Sequence, residues 1–599
     1  MSRPRMVFLV FAVSLVTLAL LAASVQAVPD RPSRVVIIVL DQARPDTITR
    51  YGMENVQDLQ RDGESFPNAY VGHMAAETVI SHNVITSGQF PKHMGWTNEV
   101  YRDTDGVLGT PGNYYVTSSM SCAQFKLLIE HGHYAKLQDY LDAKFGEASP
   151  FASFTQKRTS ACSSGHTGPA ADGTGTDPED IIFQIRGSAT PLTPDPTDDP
   201  TARVSCDGRS SWRQPESGNG TLPAYFGMTS DCTNRWWTWQ GSGAYGTGSI
   251  SPANLYPLDG DRFVPGIPPP GFPAAHVGGD NWSADAAIRF IENEPNWHGM
   301  MISLGGIDKL GHMWGPEDQG EPGAAPGSQE EMRHLPFVAK NADAQVGRIV
   351  DALDTEGLLD ETLLVITADH AAQTGTPGDT FHGVLAPGVT NPLCNPRTPA
   401  APGQSTGIRS DCNWYLGTDS DEHCDDPSPA VEELETALDG NLAFSYQDTQ
   451  VGAWLKDTST GKKREAAAAV LDMPDVIASY QINAAQNHYR LYGANSMTSD
   501  ERDWFLRHAD ELVDTMAASN GPDVVGLTGT DVTYGVIGDH GGANQRVQRI
   551  PMVFYGAGVG AKDSNRELRL VDVMPTILKA MGIQYDANSL DGEAVALSK

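Results

Sequence analysis

Five short runs of β-branched and large apolar residues restrict what this chain can fold into. They lie at residues 35–40 (VVIIVL), 300–304 (MMISL), 363–367 (LLVIT), 534–537 (YGVI) and 551–555 (PMVFY). Each lacks a polar face and reads as a strand covered on both sides. Amphipathic helix patterns at 284–292, 338–353 and 571–581 lie between or beyond them. Buried strands interspersed with helices predict an α/β fold, a mostly parallel sheet sandwiched by helices.

A second texture, rich in Gly, Pro, Ser and Asp, fills about residues 101–280 and 373–530. Both stretches read as insertions growing from loops of one catalytic domain over 28–599. Together they are expected to form a cap above the strand ends. The second becomes helical over about 466–513.

The chain opens with Arg3 and Arg5, an apolar run over 6–23, and the small-residue segment Val25-Gln26-Ala27. That is the order of a cleavable secretory signal peptide over 1–27. The alternative is an uncleaved helix anchoring the chain, since the run approaches the ~18 residues that span a bilayer. No later stretch is apolar enough to cross a membrane, so the mature chain is expected outside the cytoplasm without a transmembrane segment. The seven cysteines, none in a CxxC pair, then read as disulfides with one left over. A net charge of −34, from 41 basic and 75 acidic residues, excludes a nucleic-acid-binding surface, which needs a basic stripe. It does not exclude an anionic phosphate substrate where bound cations reverse the local sign.

In a parallel α/β sheet, ligands gather beyond the carboxyl ends of the strands. Asp41 follows the first run directly. Asp308 and His312 follow the second, Asp369 and His370 the third, and Asp539 and His540 the fourth. Taken singly, an Asp after a strand is a helix cap or turn residue. Recurrence at four strand ends turns the reading to a metal centre. Carboxylate and imidazole without clustered thiolate suit catalytic zinc, with manganese the next candidate. Thr78 opens a helix-like run over 79–86. Alone it would be a cap, yet a helix N-terminus offers free N–H groups and a positive dipole end to an anion. A neighbouring cation would make its hydroxyl nucleophilic.

In chain order, VVIIVLD, FPNAYVGHMAAETVISHNVITSGQFPKHMGW, IDKLGHMWGP, LLVITADH, GDHGG with IPMVFYGAGV, and VDVMPTILKAMGI resemble the alkaline phosphatase superfamily, specifically its type I nucleotide pyrophosphatase/phosphodiesterase branch. The resemblance implies an alkaline phosphatase-like fold, two zinc ions and a covalent phosphothreonine intermediate. It implies that Asp41, Asp369, His370 and Thr78 surround one zinc, and that Asp308, His312 and His540 hold the other. His382, in TFHGV, is the rival to His540. It further implies that Asn98 donates to a phosphate oxygen. The expected substrate is a small phosphodiester or pyrophosphate, of which a nucleotide is one form.

Val79 departs from the aromatic residue that nucleotide-preferring members place after the nucleophile, which puts base recognition there in doubt. Trp236, Trp237 and Trp239 would offer an aromatic wall, but read more simply as packing within the first insertion. The missing C/S-x-P-x-R segment sets sulfatases aside. A phosphomonoesterase, a phosphonate hydrolase and a non-catalytic, metal-containing binding protein stay open as alternatives.

Overall fold

A computed structural model describes residues 31–117, 120, 122–146, 151–155, 157–165, 180–184, 277–319, 335–375, 429–483, 487–534 and 538–599. Its strands are β1 (Arg34–Leu40), β2 (Glu64–Ser65), β3 (Val100–Asp103), β4 (Asn113–Val116), β5 (Phe151–Thr155), β6 (Asp180–Gln184), β7 (Gly299–Leu304), β8 (Thr362–Thr367), β9 (Leu442–Gln447), β10 (Gln450–Leu455), β11 (Val476–Asn483), β12 (His488–Ala494), β13 (Val524–Thr528), β14 (Met552–Gly556) and β15 (Lys562–Asp563).

The apolar runs at 35–40, 300–304 and 363–367 become β1, β7 and β8, inside an eight-stranded sheet of order β15-β2-β14-β8-β1-β7-β5-β6. β1 lies parallel between β7 and β8, with Val35 opposite Gly299 on one side and Leu363 on the other. Every residue of β7 and β8 is buried, which is why these strands lack a polar face. The run at 551–555 supplies β14, antiparallel to β8.

Neighbouring residues of β5 show where the helices lie. Phe154 packs edge-on against Phe290 of the Val277–Asn293 helix, with ring centroids 5.7 Å apart. Ser153 Oγ accepts from Ser164 Oγ of the Arg158–Ser164 helix at 3.0 Å. Successive strand residues point to opposite faces, so helices cover both sides of the sheet. The Leu335–Thr355 helix packs on the first of these, and the Thr78–Ser87 helix on the second.

Three expectations change. The stretch 101–280 is not wholly insertion, because β5 and β6 extend the main sheet beside β7. FASFT is short and carries Ser and Thr, so its complete burial does not show in its apolar content. The stretch 466–513 is not continuously helical either. Helices Thr460–Leu471 and Ser499–Asp514 flank β11 and β12, which belong to a five-stranded antiparallel sheet, β12-β11-β13-β10-β9. Along β11 (VIASYQIN) fully buried residues recur with half-buried ones between them, as in a strand with one face less covered. Of the strand expected at 534–537, Tyr534 is a bend, and 535–537 lie outside the described residues.

The signal segment, His382, the three tryptophans at 236, 237 and 239, and every cysteine side chain but that of Cys162 also lie outside them. Cys162 is fully buried. No described helix is long and apolar enough to cross a membrane.

Candidate active site

Parallel pairing of β1 with β8 brings the residues beyond their carboxyl ends together. His370 Nε2 lies 3.6 Å from Asp41 Oδ1 and 3.5 Å from Asp369 Oδ2. These three side chains place ligand atoms within 4.8 Å of one another. Beyond β7, the Gly306–Trp314 helix sets Asp308 and His312 one turn apart on the same face, with Asp308 Oδ1 3.2 Å from His312 Nε2. His540 Nε2 approaches the same Asp308 oxygen at 3.6 Å. Its ring lies 3.8 Å from that of His370 and 5.0 Å from that of His312. Two further clusters follow, Asp308 with His370 and His540, and His312 with Asp539 and His540. The structure thus brings together Asp41, Asp308, His312, Asp369, His370 and His540, with Asp539 beside His312 and His540.

Thr78 is the first residue of a ten-residue helix, Thr78–Ser87, that is buried throughout. Its Oγ1 stands 3.0 Å from His370 Nε2. Glu77 precedes it in an extended conformation and makes no side-chain cap, leaving first-turn N–H groups without the usual partner. Asn98 is fully buried, but its described hydrogen bond runs from Nδ2 to Met516 Sδ at 3.4 Å, and it makes none to Thr78.

Three residues at the site escaped the sequence reading. Lys157, two residues past β5, reaches Asp41 Oδ2 at 2.7 Å, Asp308 Oδ2 at 2.5 Å and Thr78 Oγ1 at 3.2 Å. Its signal was the strand-then-lysine order of FASFTQK, hidden inside a stretch read as insertion. Glu77 lies behind His540, with Oε2 2.8 Å from Nδ1. His82, one helical turn past Thr78, places Nδ1 2.7 Å from the Thr78 carbonyl and 3.4 Å from Asp369 Oδ2.

The charges explain what the site can hold. Asp41, Asp308 and Asp369 are all fully buried. Burial, reinforced by Asp369, pushes the Asp41 carboxyl well above the usual carboxylate range. Burial pushes Asp308 the same way, but Lys157 and His312 outweigh it and hold that carboxyl well below the range. Burial also opposes the Lys157 charge, yet Asp308, Asp41 and Asp369 keep the ammonium above the usual lysine range. His370 is pushed well below the usual imidazole range by burial, into the neutral form that ligates metals. Asp41 Oδ1 and Asp369 Oδ2 are buried with no hydrogen-bond donor. Unpaired buried carboxylates are costly, and one ammonium does not offset three of them. Oxygen and imidazole donors in this arrangement fit divalent cations such as zinc or manganese.

The sequence model of the family "Type I phosphodiesterase / nucleotide pyrophosphatase" matches residues 232–384. That span carries Asp308, His312, Asp369 and His370 but not Thr78. No curated protein matches the chain. Among solved structures, wild-type alkaline phosphatase PafA aligns with a TM-score of 0.57 at 15% identity, covering 95% of this chain and 99% of its own. Murine ectonucleotide pyrophosphatase/phosphodiesterase 5 aligns with a TM-score of 0.49 at 9% identity, covering 94% and 97%. The match to that family over residues 232–384 supports a phosphoric ester hydrolase, and the chain shares its fold with alkaline phosphatase PafA.

Proposed function

We propose that the protein is an exported hydrolase of phosphodiester or pyrophosphate bonds, with Thr78 as nucleophile and two zinc ions. Asp41, Asp369, His370 and Thr78 would hold one ion, and Asp308, His312 and His540 the other. The observation that carries this reading is the Thr78 hydroxyl, at the start of a buried helix and 3.0 Å from His370 Nε2. Bound there, divalent cations would lower the pKa of that hydroxyl and neutralise charge on the phosphoryl oxygens. Thr78 Oγ attacks phosphorus, the ester P–O bond breaks, and water then hydrolyses the phosphothreonine in a second displacement. First-turn N–H groups of the Thr78–Ser87 helix favour the anionic phosphoryl group. Glu77 keeps His540 oriented. Export rests on the pattern at 1–27.

A second reading, phosphomonoester hydrolysis, is favoured by Lys157. An ammonium 3.2 Å from the nucleophile suits the dianionic phosphoryl group of a monoester better than the monoanion of a diester. Rates of the zinc-loaded protein on bis-(p-nitrophenyl) phosphate and p-nitrophenyl phosphate separate the two. Thr78→Ala is expected to keep its zinc and lose activity by on the order of 10³-fold or more. Near-normal turnover in that variant sinks the proposed nucleophile.

A further inference from the structure

Gln42 directly follows Asp41, is 1% exposed, and has a left-handed backbone with φ 68°. That conformation is unusual outside glycine. Its donors go to three separate segments. The backbone N–H donates to Asp369 Oδ1 at 3.2 Å. Side-chain Nε2 donates to the Gly538 carbonyl at 2.8 Å and to Asp308 Oδ1 at 3.3 Å. One residue beside Asp41 therefore ties down the segments that carry Asp369 and His370, Asp308 and His312, and His540.

The fit around it is close. A Cβ on Gly311, between Asp308 and His312 on their helix, would collide with Gln42 Oε1. A Cβ on Gly538, itself at φ 65°, would collide with the Gly311 carbonyl. Gln42, Gly311 and Gly538 thus interlock.

We infer that Gln42 is a positioning residue for the metal centre. It sets the spacing of the segments that carry the Asp308, Asp369 and His540 ligands, so that their donors are arranged before a cation arrives. This rests on the two-metal reading above. A left-handed turn residue with no such duty would be replaced by glycine without loss, and even with a gain in stability. Positioning through hydrogen bonds makes the opposite demand, because glycine keeps the turn and removes both side-chain donations.

The test is zinc affinity, read by competition against a chromophoric chelator, for the parent, Gln42→Gly and Gln42→Met. Melting temperatures of the chelator-treated proteins control for folding. Both variants are expected to bind zinc about 10–100-fold more weakly than the parent, while each metal-free variant still unfolds in one cooperative transition. Parent-like zinc affinity in Gln42→Gly overturns the inference and leaves a simple turn residue. Parent-like affinity in Gln42→Met overturns it as well, since that side chain keeps the bulk without the donors. A parent that binds no zinc overturns the two-metal reading and this inference with it.

Discussion

If Thr78 is the nucleophile, Lys157 is placed to tell one phosphate ester from another, because its ammonium contacts that hydroxyl and two of the three buried carboxylates. A charge-assisted hydrogen bond contributes about 1.5–3 kcal/mol, so its loss should cost roughly 10–100-fold in rate where the bond is made. Lys157→Met is expected to lower kcat/KM for p-nitrophenyl phosphate by that factor and for the diester by much less. Equal losses on both esters would mean that the ammonium balances the carboxylates and does not read the substrate. The candidate ligand residues were legible in the sequence because a carboxylate or imidazole recurs after four of the five apolar runs. Lys157 and Gln42 were not, since each acts through partners remote along the chain, 79 and 151 residues away for Lys157 and 266 to 496 for Gln42. Asn98 stood out through its sequence context, and it is fully buried with its amide donating to Met516.

At the scale of elements, β1, β7 and β8 declared themselves because strands buried on both faces cannot carry a polar side. β5 did not. It owes its place to pairing with β7 and to Phe154 packing on Phe290, and pairing is invisible in five residues that include Ser and Thr. The antiparallel sheet was missed for a related reason, since its strands lie between genuine helices within one stretch of mixed composition. Because Lys157 lies two residues past β5, the strand's packing would bear on the proposed catalysis. Phe154→Ala removes a fully buried ring and should cost about 3–5 kcal/mol of stability. It should also shift the monoester-to-diester ratio in the same direction as Lys157→Met, though its side chain faces away toward the Val277–Asn293 helix. A lower melting temperature with an unchanged ratio would show that the residues beyond β5 hold the lysine without help from the strand.

Across the whole molecule, the His540 segment joins the two sheets. Gly541 N donates to the Ala76 carbonyl at 3.1 Å and Gly542 N to that of Met74 at 2.9 Å, both just ahead of the nucleophile helix. From the antiparallel sheet, the turn between β9 and β10 answers with Thr449, whose backbone N and Oγ1 donate to the His540 carbonyl at 3.3 and 3.1 Å. A cation held by Asp308, His312 and His540 would therefore pull on both sheets, and one held by Asp41 and Asp369 would relieve the repulsion beneath them. If zinc binds the folded chain and not the unfolded one, a free concentration 1,000-fold above its Kd should add about 4 kcal/mol per site to stability. Calorimetry of zinc-loaded and chelator-treated protein should show a clear fall in melting temperature on chelation, with one transition in the loaded state. Hydrogen exchange should slow on zinc binding at Gly541 and Thr449 together. An unchanged melting temperature would remove the metal centre from the account. Slowed exchange at Gly541 without Thr449 would mean that the antiparallel sheet rests on the catalytic core and takes no share in holding its last ligand.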